Sequence, residues 1–332
     1  MKLIDLPAEL LQLLTEFLET EKDISALCRT SRYCYSVLIS CLYRHDRQKK
    51  NSFALLWAAK NGNESTAWIS IQYGANPDLK DDRSSTPLLY AASEGHEAIV
   101  KLLLNTDGVD PDSKNDYRRT PLSYAASRGH EAIVKLLLNM DGVDPDSKDN
   151  RGWTTLSYAA SKGHEAIVKL LLNTDGVDPD SKDYTRKTPL SRAALEGHDA
   201  TVKLLLSMDG VDPDSRDIYG GTPLSGAASG GHETIVKLLL NTGRVDQDSK
   251  DNNGQTPLSR AALEGHDATV KLLLSMDGVD PDSRDIYGGT PLSYAASKGH
   301  ETIVKLQYFS TRAELIKIQR IIMARHHYQE LH

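Results

Sequence analysis

The amino-acid sequence predicts an all-α fold: a solenoid of short helix-turn-helix units preceded by a small three-helix module. Three observations predict it. Thr-Pro-Leu or a close variant starts at Thr86, Thr120, Thr154, Thr188, Thr222, Thr256 and Thr290, an unbroken step of 34 residues. Gly-His follows nine residues later each time, from Gly95 to Gly299. Residues 188–225 and 256–293 are identical, so whole units behave as interchangeable bricks. A weaker copy, "FALLWAAKNG", starts at Phe53, which makes eight units between Phe53 and about Leu306.

Each unit can be justified locally, taken in chain order. In "TPLSYAASRGHEAIVKLLLN" the Thr is placed to cap a helix, its hydroxyl accepting from an otherwise orphan amide, worth ~1 kcal/mol. Pro at the first helical position loses an N–H that would have had no partner. The short helix carries Ala-Ala and ends at Gly, which tolerates a left-handed turn. A second helix starts near His and Glu. Its "IVKLLL" is apolar around too much of its circumference to stand alone, so neighbouring units must cover it on both sides.

The connector is acidic. "DGVDPDSKD", residues 141–149, has close copies starting at Asp107, Asp175, Asp209 and Asp277 and a looser one, "GRVDQDSK", at Gly243. A calcium loop places Asp at alternate positions, with Gly for the turn and a distal bidentate Glu. Here Pro stiffens the middle and no such Glu follows. The ladder reads as connector, and no metal or other cofactor is expected.

Tetratricopeptide repeats share the 34-residue period but lack the Thr-Pro-Leu start and the acidic loop. "TPLxxAAxxGHxxIVKLLL" followed by "DGVDPDSKDxxG" instead resembles the ankyrin repeat with one residue added in the loop. One departure is consistent: the family's usual His after Thr-Pro-Leu is Ser here, as at Ser123 and Ser157. The resemblance implies an ankyrin-repeat solenoid with β-hairpin fingers. Gly142 would then cap the second helix, and Asp144 and Asp149 would satisfy turn amides.

Ankyrin arrays bind through finger tips and inner helices. The tips read Asp116, Tyr117 and Arg119; Asn150, Arg151 and Trp153; Tyr184, Thr185 and Lys187; Ile218, Tyr219 and Gly221. Exposed aromatics and Arg on loops are what interfaces favour. The inner helix adds Arg128, Lys162, Glu196 and Glu264. The expected target-binding set is therefore Tyr117, Arg119, Arg128, Arg151, Trp153, Lys162, Tyr184, Lys187 and Tyr219. Trp153 is favoured among the tips, whereas the tyrosines read equally well as packing on adjacent fingers.

Composition narrows the function. The formal net charge of −7 argues against nucleic acid, which needs clustered Lys and Arg. No apolar run approaches the ~18 residues of a membrane span. Asp5, Pro7 and Glu9 interrupt the N-terminal apolar stretch, so it does not read as a secretory signal. Cys28, Cys34 and Cys41 read as reduced, buried thiols in an intracellular protein of the cytoplasm or nucleus. Cys41 with His45 is too few ligands for zinc. "NES" at Asn63 has no meaning as a sequon without secretion. The Gly-His histidines recur at one structural position and form no catalytic cluster, so no enzyme is expected.

Residues 1–46 do not fit the repeat. Leu10, Leu11, Leu14, Phe17 and Leu18 fall at helical spacing after Pro7, and two further short helices follow. "LPAELLQLLTEFL…DISALCRTSRYCYSVL" resembles an F-box, and "LYRHD" resembles the exit seen in fungal F-box–ankyrin proteins. That family docks on the adaptor subunit of SCF-type ubiquitin ligases. Carried over, Leu6, Pro7, Leu10, Leu14 and Leu27 would form much of the docking face. The alternative is a helical cap on the first repeat. Residues 47–52 read as a linker, with "RQKK" as a weak nuclear-import signal. The array occupies 53–306, and the chain by itself is expected to be monomeric. Residues 307–332, with Leu315, Ile318 and Ile322 on one face, read as a capping or degenerate helix, a partner-binding helix, or an aberrant end to the reading frame.

Overall fold

The computed structural model describes residues 53–306. The expectations for the F-box-like module with its docking face, for the cysteines, and for the C-terminal segment lie outside the described residues. Every element described is helical, and the helices come in pairs. Contacts divide the chain into two compact units, the first ending at Asn150 and the second starting at Arg151. The first unit holds α1 (Phe53–Asn61), α2 (Glu64–Gln72), α3 (Pro87–Glu94), α4 (Glu97–Leu104), α5 (Pro121–Arg128) and α6 (Glu131–Leu138). The second holds α7 (Thr155–Ser161), α8 (Glu165–Leu172), α9 (Pro189–Glu196), α10 (Asp199–Leu206) and α11 (Pro223–Ser229). It continues with α12 (Glu233–Leu240), α13 (Pro257–Glu264), α14 (Asp267–Leu274) and α15 (Pro291–Lys298), then helical residues 301–306.

The first helices start as the sequence predicts. In all seven Thr-led repeats the hydroxyl accepts from the amide three residues on, at Leu89, Ser123, Ser157, Ser191, Ser225, Ser259 and Ser293. Ser in place of the family's usual His also acquires a reason. The Ser191 hydroxyl accepts the Thr188 N–H at 2.9 Å, and Ser225 does the same for Thr222 at 2.9 Å. Two orphan groups are satisfied reciprocally.

Packing is repeat on repeat within each unit. First helices pack on first helices (α1 on α3, α3 on α5; α7 on α9, α9 on α11, α11 on α13, α13 on α15), and second helices on second helices more sparsely. The Ala pairs, such as Ala193 and Ala194, are fully buried and let the first helices approach closely. In α4 and its copies the buried side chains are Ile99, Val100 and Leu103. Each such chain stabilises by about 1.5–3 kcal/mol, which a lone pair of helices could not realise.

Two polar ties cross every described repeat boundary inside a unit. The Gly-His imidazole reaches back 37 residues to a carbonyl: His130 Nε2 to Ser93 O at 3.0 Å, His232 Nε2 to Leu195 O at 3.0 Å. At the tips, one amide joins each finger to the one before it: Asn150 N–H to Tyr117 O at 3.0 Å, Asn252 N–H to Tyr219 O at 2.9 Å.

Two expectations need correction. The second helix does not end at Gly142. It ends at Leu138 with Asn139 as its cap, and Gly142, at φ 84°, turns the loop three residues later. The fingers also carry no strand among the described residues, because a single main-chain bond between fingers is too little to form a ladder. Each is instead a tight turn, closed as in Asp217 N–H to Gly221 O at 2.9 Å. The acidic ladder serves the connector. Asp110, Asp144, Asp178, Asp212, Asp246 and Asp280 each accept the amide two residues on, at 2.9–3.1 Å.

Candidate interaction surface

The side chains available to a partner are set by one repeating polar contact. Nine residues separate an acidic or amide residue at the base of each finger from a position in the first helix. Tyr90 donates its hydroxyl to Asp81 at 2.6 Å, and Asn115 donates to the Tyr124 hydroxyl at 3.2 Å. In the second unit Arg192 pairs with Asp183, Arg260 with Asp251 at 2.5 Å, and Tyr294 with Asp285. The same carboxylates take amides from their own finger, as Asp183 Oδ1 does from Thr185 and Lys187 at 2.7 and 2.9 Å.

These contacts leave their mark on protonation. The hydrogen bond to Asp81 pushes the Tyr90 phenol up to about 12. Burial acts to raise Asp183, yet hydrogen bonds from Arg192, Thr185 and Lys187 outweigh it and hold the carboxyl below the usual range. The hydrogen bond from Tyr294 likewise lowers Asp285. These groups fasten finger to helix.

Of the expected target-binding residues, Tyr117, Tyr184 and Tyr219 stand 54%, 70% and 62% exposed at the finger tips. Arg151, Arg128 and Lys162 are exposed as well, with Arg128 paired to Glu94 of the preceding repeat at 2.7 Å. Three others are drawn inward. Arg119 is half-buried, its guanidinium 3.6 Å from the centre of the Tyr124 ring and donating to Ser123 O at 3.1 Å. Lys187 sits 3.8 Å from Asp217 of the next repeat. Trp153 is half-buried, its ring centre 4.9 Å from that of Tyr158 and 3.4 Å from the Arg192 guanidinium. Its indole joins repeats rather than standing out like the tyrosines.

Sequence reasoning passed over several exposed groups. Ile286 and Tyr287 are 63% and 83% exposed, and the identity of 256–293 with 188–225 already signalled them as copies of Ile218 and Tyr219. Arg118 and Arg186 hold left-handed backbone, φ 59° and 61°, as Ser84 does, where Gly152, Gly220, Gly254 and Gly288 stand in the other described tips, and both arginines are exposed. Trp57 and Trp68, each 55% exposed, stand on α1 and α2. Among the described residues no group of His, Cys, Asp or Glu is arranged to hold a metal, and no helix is long and apolar enough to cross a membrane.

The family model described as "Ankyrin repeats (3 copies)" matches residues 55–149, 138–217, 190–285 and 224–310, together spanning 55–310 of the 332 residues. This chain belongs to the ankyrin-repeat family. The ankyrin matches begin at residue 55, and no F-box domain was found in the residues before them. A curated relative, the ankyrin repeat and KH domain-containing protein mask-1 of Caenorhabditis elegans, is 40% identical over 60 residues. That match covers 18% of this ankyrin chain and only 2% of the relative's length. Ankyrin repeats point to binding of other proteins, and no catalytic family is indicated.

Proposed function

We propose that this chain is a non-enzymatic adaptor: the ankyrin array holds a target protein, and residues 1–46 dock on the adaptor subunit of an SCF-type ubiquitin ligase. The observation that carries the first half is the exposed tip aromatics, Tyr117 of the first unit and Tyr184 and Tyr219 of the second, on fingers whose base residues Asn115, Asp183 and Asp217 hold the amides of their own turn. Rigid aromatics held in solvent give large contact area at low entropic cost. Proximity of the held target to the transfer machinery raises its effective concentration there.

The second half rests on the F-box-like pattern, with Leu6, Pro7, Leu10, Leu14 and Leu27 as the docking face. A second reading is favoured by exposed Trp57 and Trp68: the N-terminal residues then only cover that face of the first repeat. Pull-down with the purified ligase adaptor subunit separates the two. Binding that disappears in the Pro7→Ala, Leu10→Ala double variant supports docking, and no binding by the intact chain ends the ligase reading.

The array is tested by proximity labelling. A protein labelled by the intact chain and lost when Tyr117, Tyr184 and Tyr219 are changed to Ser supports tip recognition. A labelled set unchanged by those substitutions overturns it.

A further inference from the structure

The finger-to-helix contact is broken in one repeat. Where the second unit has Tyr158, Arg192, Arg260 and Tyr294, and the first unit has Trp57, Tyr90 and Tyr124, α11 has Gly226. Asp217, the carboxylate at the base of that finger, therefore faces a gap. Its Oδ1 takes the Tyr219 and Gly221 amides at 2.9 and 2.8 Å. Its Oδ2 has only the Lys187 ammonium, 3.8 Å away and beyond hydrogen-bond distance. The Asp217 side chain is 10% exposed, against 1% for Asp183 and Asp251, whose gaps are filled by Arg192 and Arg260.

The gap is a cleft of about 270 Å³. Lys187, Leu195, Asp217, Tyr219, Gly226 and Asn253 are among its walls. It lies below the roughly 300–1,000 Å³ of ordinary small-molecule sites, so it suits one side chain better than a whole ligand. Nothing in the backbone closes it. A Cβ at Gly226 would meet its nearest neighbour, Leu195 Cβ, at 3.7 Å, an ordinary contact.

The protein supplies its own reference for what fits. Residues 188–225 and 256–293 are identical, so the chain that surrounds Gly226 from the preceding side is the same that surrounds Tyr294. In the filled copy the Tyr294 hydroxyl donates to Asp285 Oδ2 and receives the Gln255 side-chain amide at 3.3 Å. Lys187 takes the place of Gln255 in the empty copy, and it too is a donor. A phenol placed there donates to Asp217 and accepts from Lys187, while Leu195 offers apolar contact to the ring. A guanidinium would satisfy Asp217 but would face the Lys187 cation with no acceptor to offer it. We propose that the cleft at Gly226 receives a tyrosine side chain of a partner protein, seated as Tyr294 is seated in its own repeat.

The inference rests on the protein-binding reading and specifies one contact within it. The test is a titration of the full chain with N-acetyl-tyrosinamide at millimolar concentration, followed by amide chemical shifts. The expected result is saturable shifts at Asp217, Tyr219 and Gly226, with N-acetyl-phenylalaninamide and N-acetyl-argininamide at least fivefold weaker. Gly226→Tyr fills the cleft from within and abolishes the response. Asp217→Asn, nearly isosteric, weakens tyrosinamide at least fivefold and leaves phenylalaninamide unchanged, which serves if the first variant does not fold. An equal response to phenylalaninamide, a stronger one to argininamide, or no shift at these amides overturns the inference. So does an unchanged response in folded Gly226→Tyr. Loss of labelling in the tip variants is read separately, so the adaptor reading can stand while the cleft fails.

Discussion

Arg192 lies 3.4 Å from the centre of the Trp153 ring while its guanidinium also pairs with Asp183, whose side chain is 1% exposed. One side chain thus joins the preceding repeat to the base of its own finger. Truncating Arg192→Ala removes a charge-assisted bond to a buried carboxylate and a cation–π contact. We expect a loss of about 2–4 kcal/mol in a urea melt, most of it from leaving Asp183 short of a partner. Indole fluorescence should change in the folded baseline. A variant as stable as the parent would mean that the pair does not form.

Thr155 should be replaceable by Pro with a gain in stability. It occupies the first position of α7, fully buried, and its hydroxyl has no hydrogen-bond partner. Thr154 before it is extended, φ −88° and ψ 169°, as a residue preceding Pro requires. The expected gain is about 0.4–1 kcal/mol by thermal melt, from reduced freedom of the unfolded chain. A lower melting temperature would refute this geometry.

Asp112 should make stability fall as pH rises. Burial pushes its carboxyl up to about 6, with Lys114 opposing and the Asp144 and Asp110 charges adding. A raised folded value means that the native state holds the proton more tightly. The associated stability is present below about pH 4 and lost as pH rises through about 6. Asp112→Asn should therefore be more stable than the parent at pH 7.5, by about 1 kcal/mol once solvent screening is allowed for. The difference should vanish near pH 4. Equal melts at both pH values would contradict it.

Gly197→Ala and Gly210→Ala separate two costs that usually come together. Both positions have left-handed backbone, φ 83° and 85°. A methyl at Gly210 meets nothing within 4 Å, so only the backbone term applies, about 1–2 kcal/mol. A methyl at Gly197 meets the His232 ring at 2.5 Å, and the ring must leave its carbonyl to make room. Gly197→Ala is expected to be the more damaging by about 1–2 kcal/mol in a denaturant melt. Equal losses would show that the histidine tie contributes nothing.

The tip tyrosines should be neutral for folding. Tyr184→Ser and Tyr219→Ser touch side chains 70% and 62% exposed, so their unfolding free energies should stay within about 0.5 kcal/mol of the parent. A larger drop by calorimetry would mean that these rings pack on neighbouring fingers.

The repeat was legible because its signals are local. Thr at the cap, Pro after it and the apolar second helix each act within a few residues, and the structure places the helices where those signals put them. The fate of tip side chains was not legible, because it depends on the next repeat. Trp153 reads as a free aromatic until Arg192, 39 positions later, is seen beside it. Arg119 turns back over Tyr124 for a similar reason. Gly142 is not the cap that the resemblance implies, because Asn139 ends the helix three residues earlier. Gly226 was visible in the sequence as a departure from Tyr or Arg. Its meaning required Asp217, which the fold alone brings opposite.

A bond between main-chain atoms, such as Ile218 N–H to Thr185 O, recurs wherever neighbouring finger tips join within a unit. At Asn150 and Asn252 the side-chain amide adds a second bond, to Asp116 O at 2.8 Å and Ile218 O at 3.0 Å, whereas the Ile218 side chain carries no part of the join. Substitution at a position such as Ile218 can therefore alter what the array grips without weakening its assembly, and duplication of a block such as 188–225 hands on a ready surface for revision. Selection can rewrite recognition here one residue at a time, with the scaffold indifferent to the outcome.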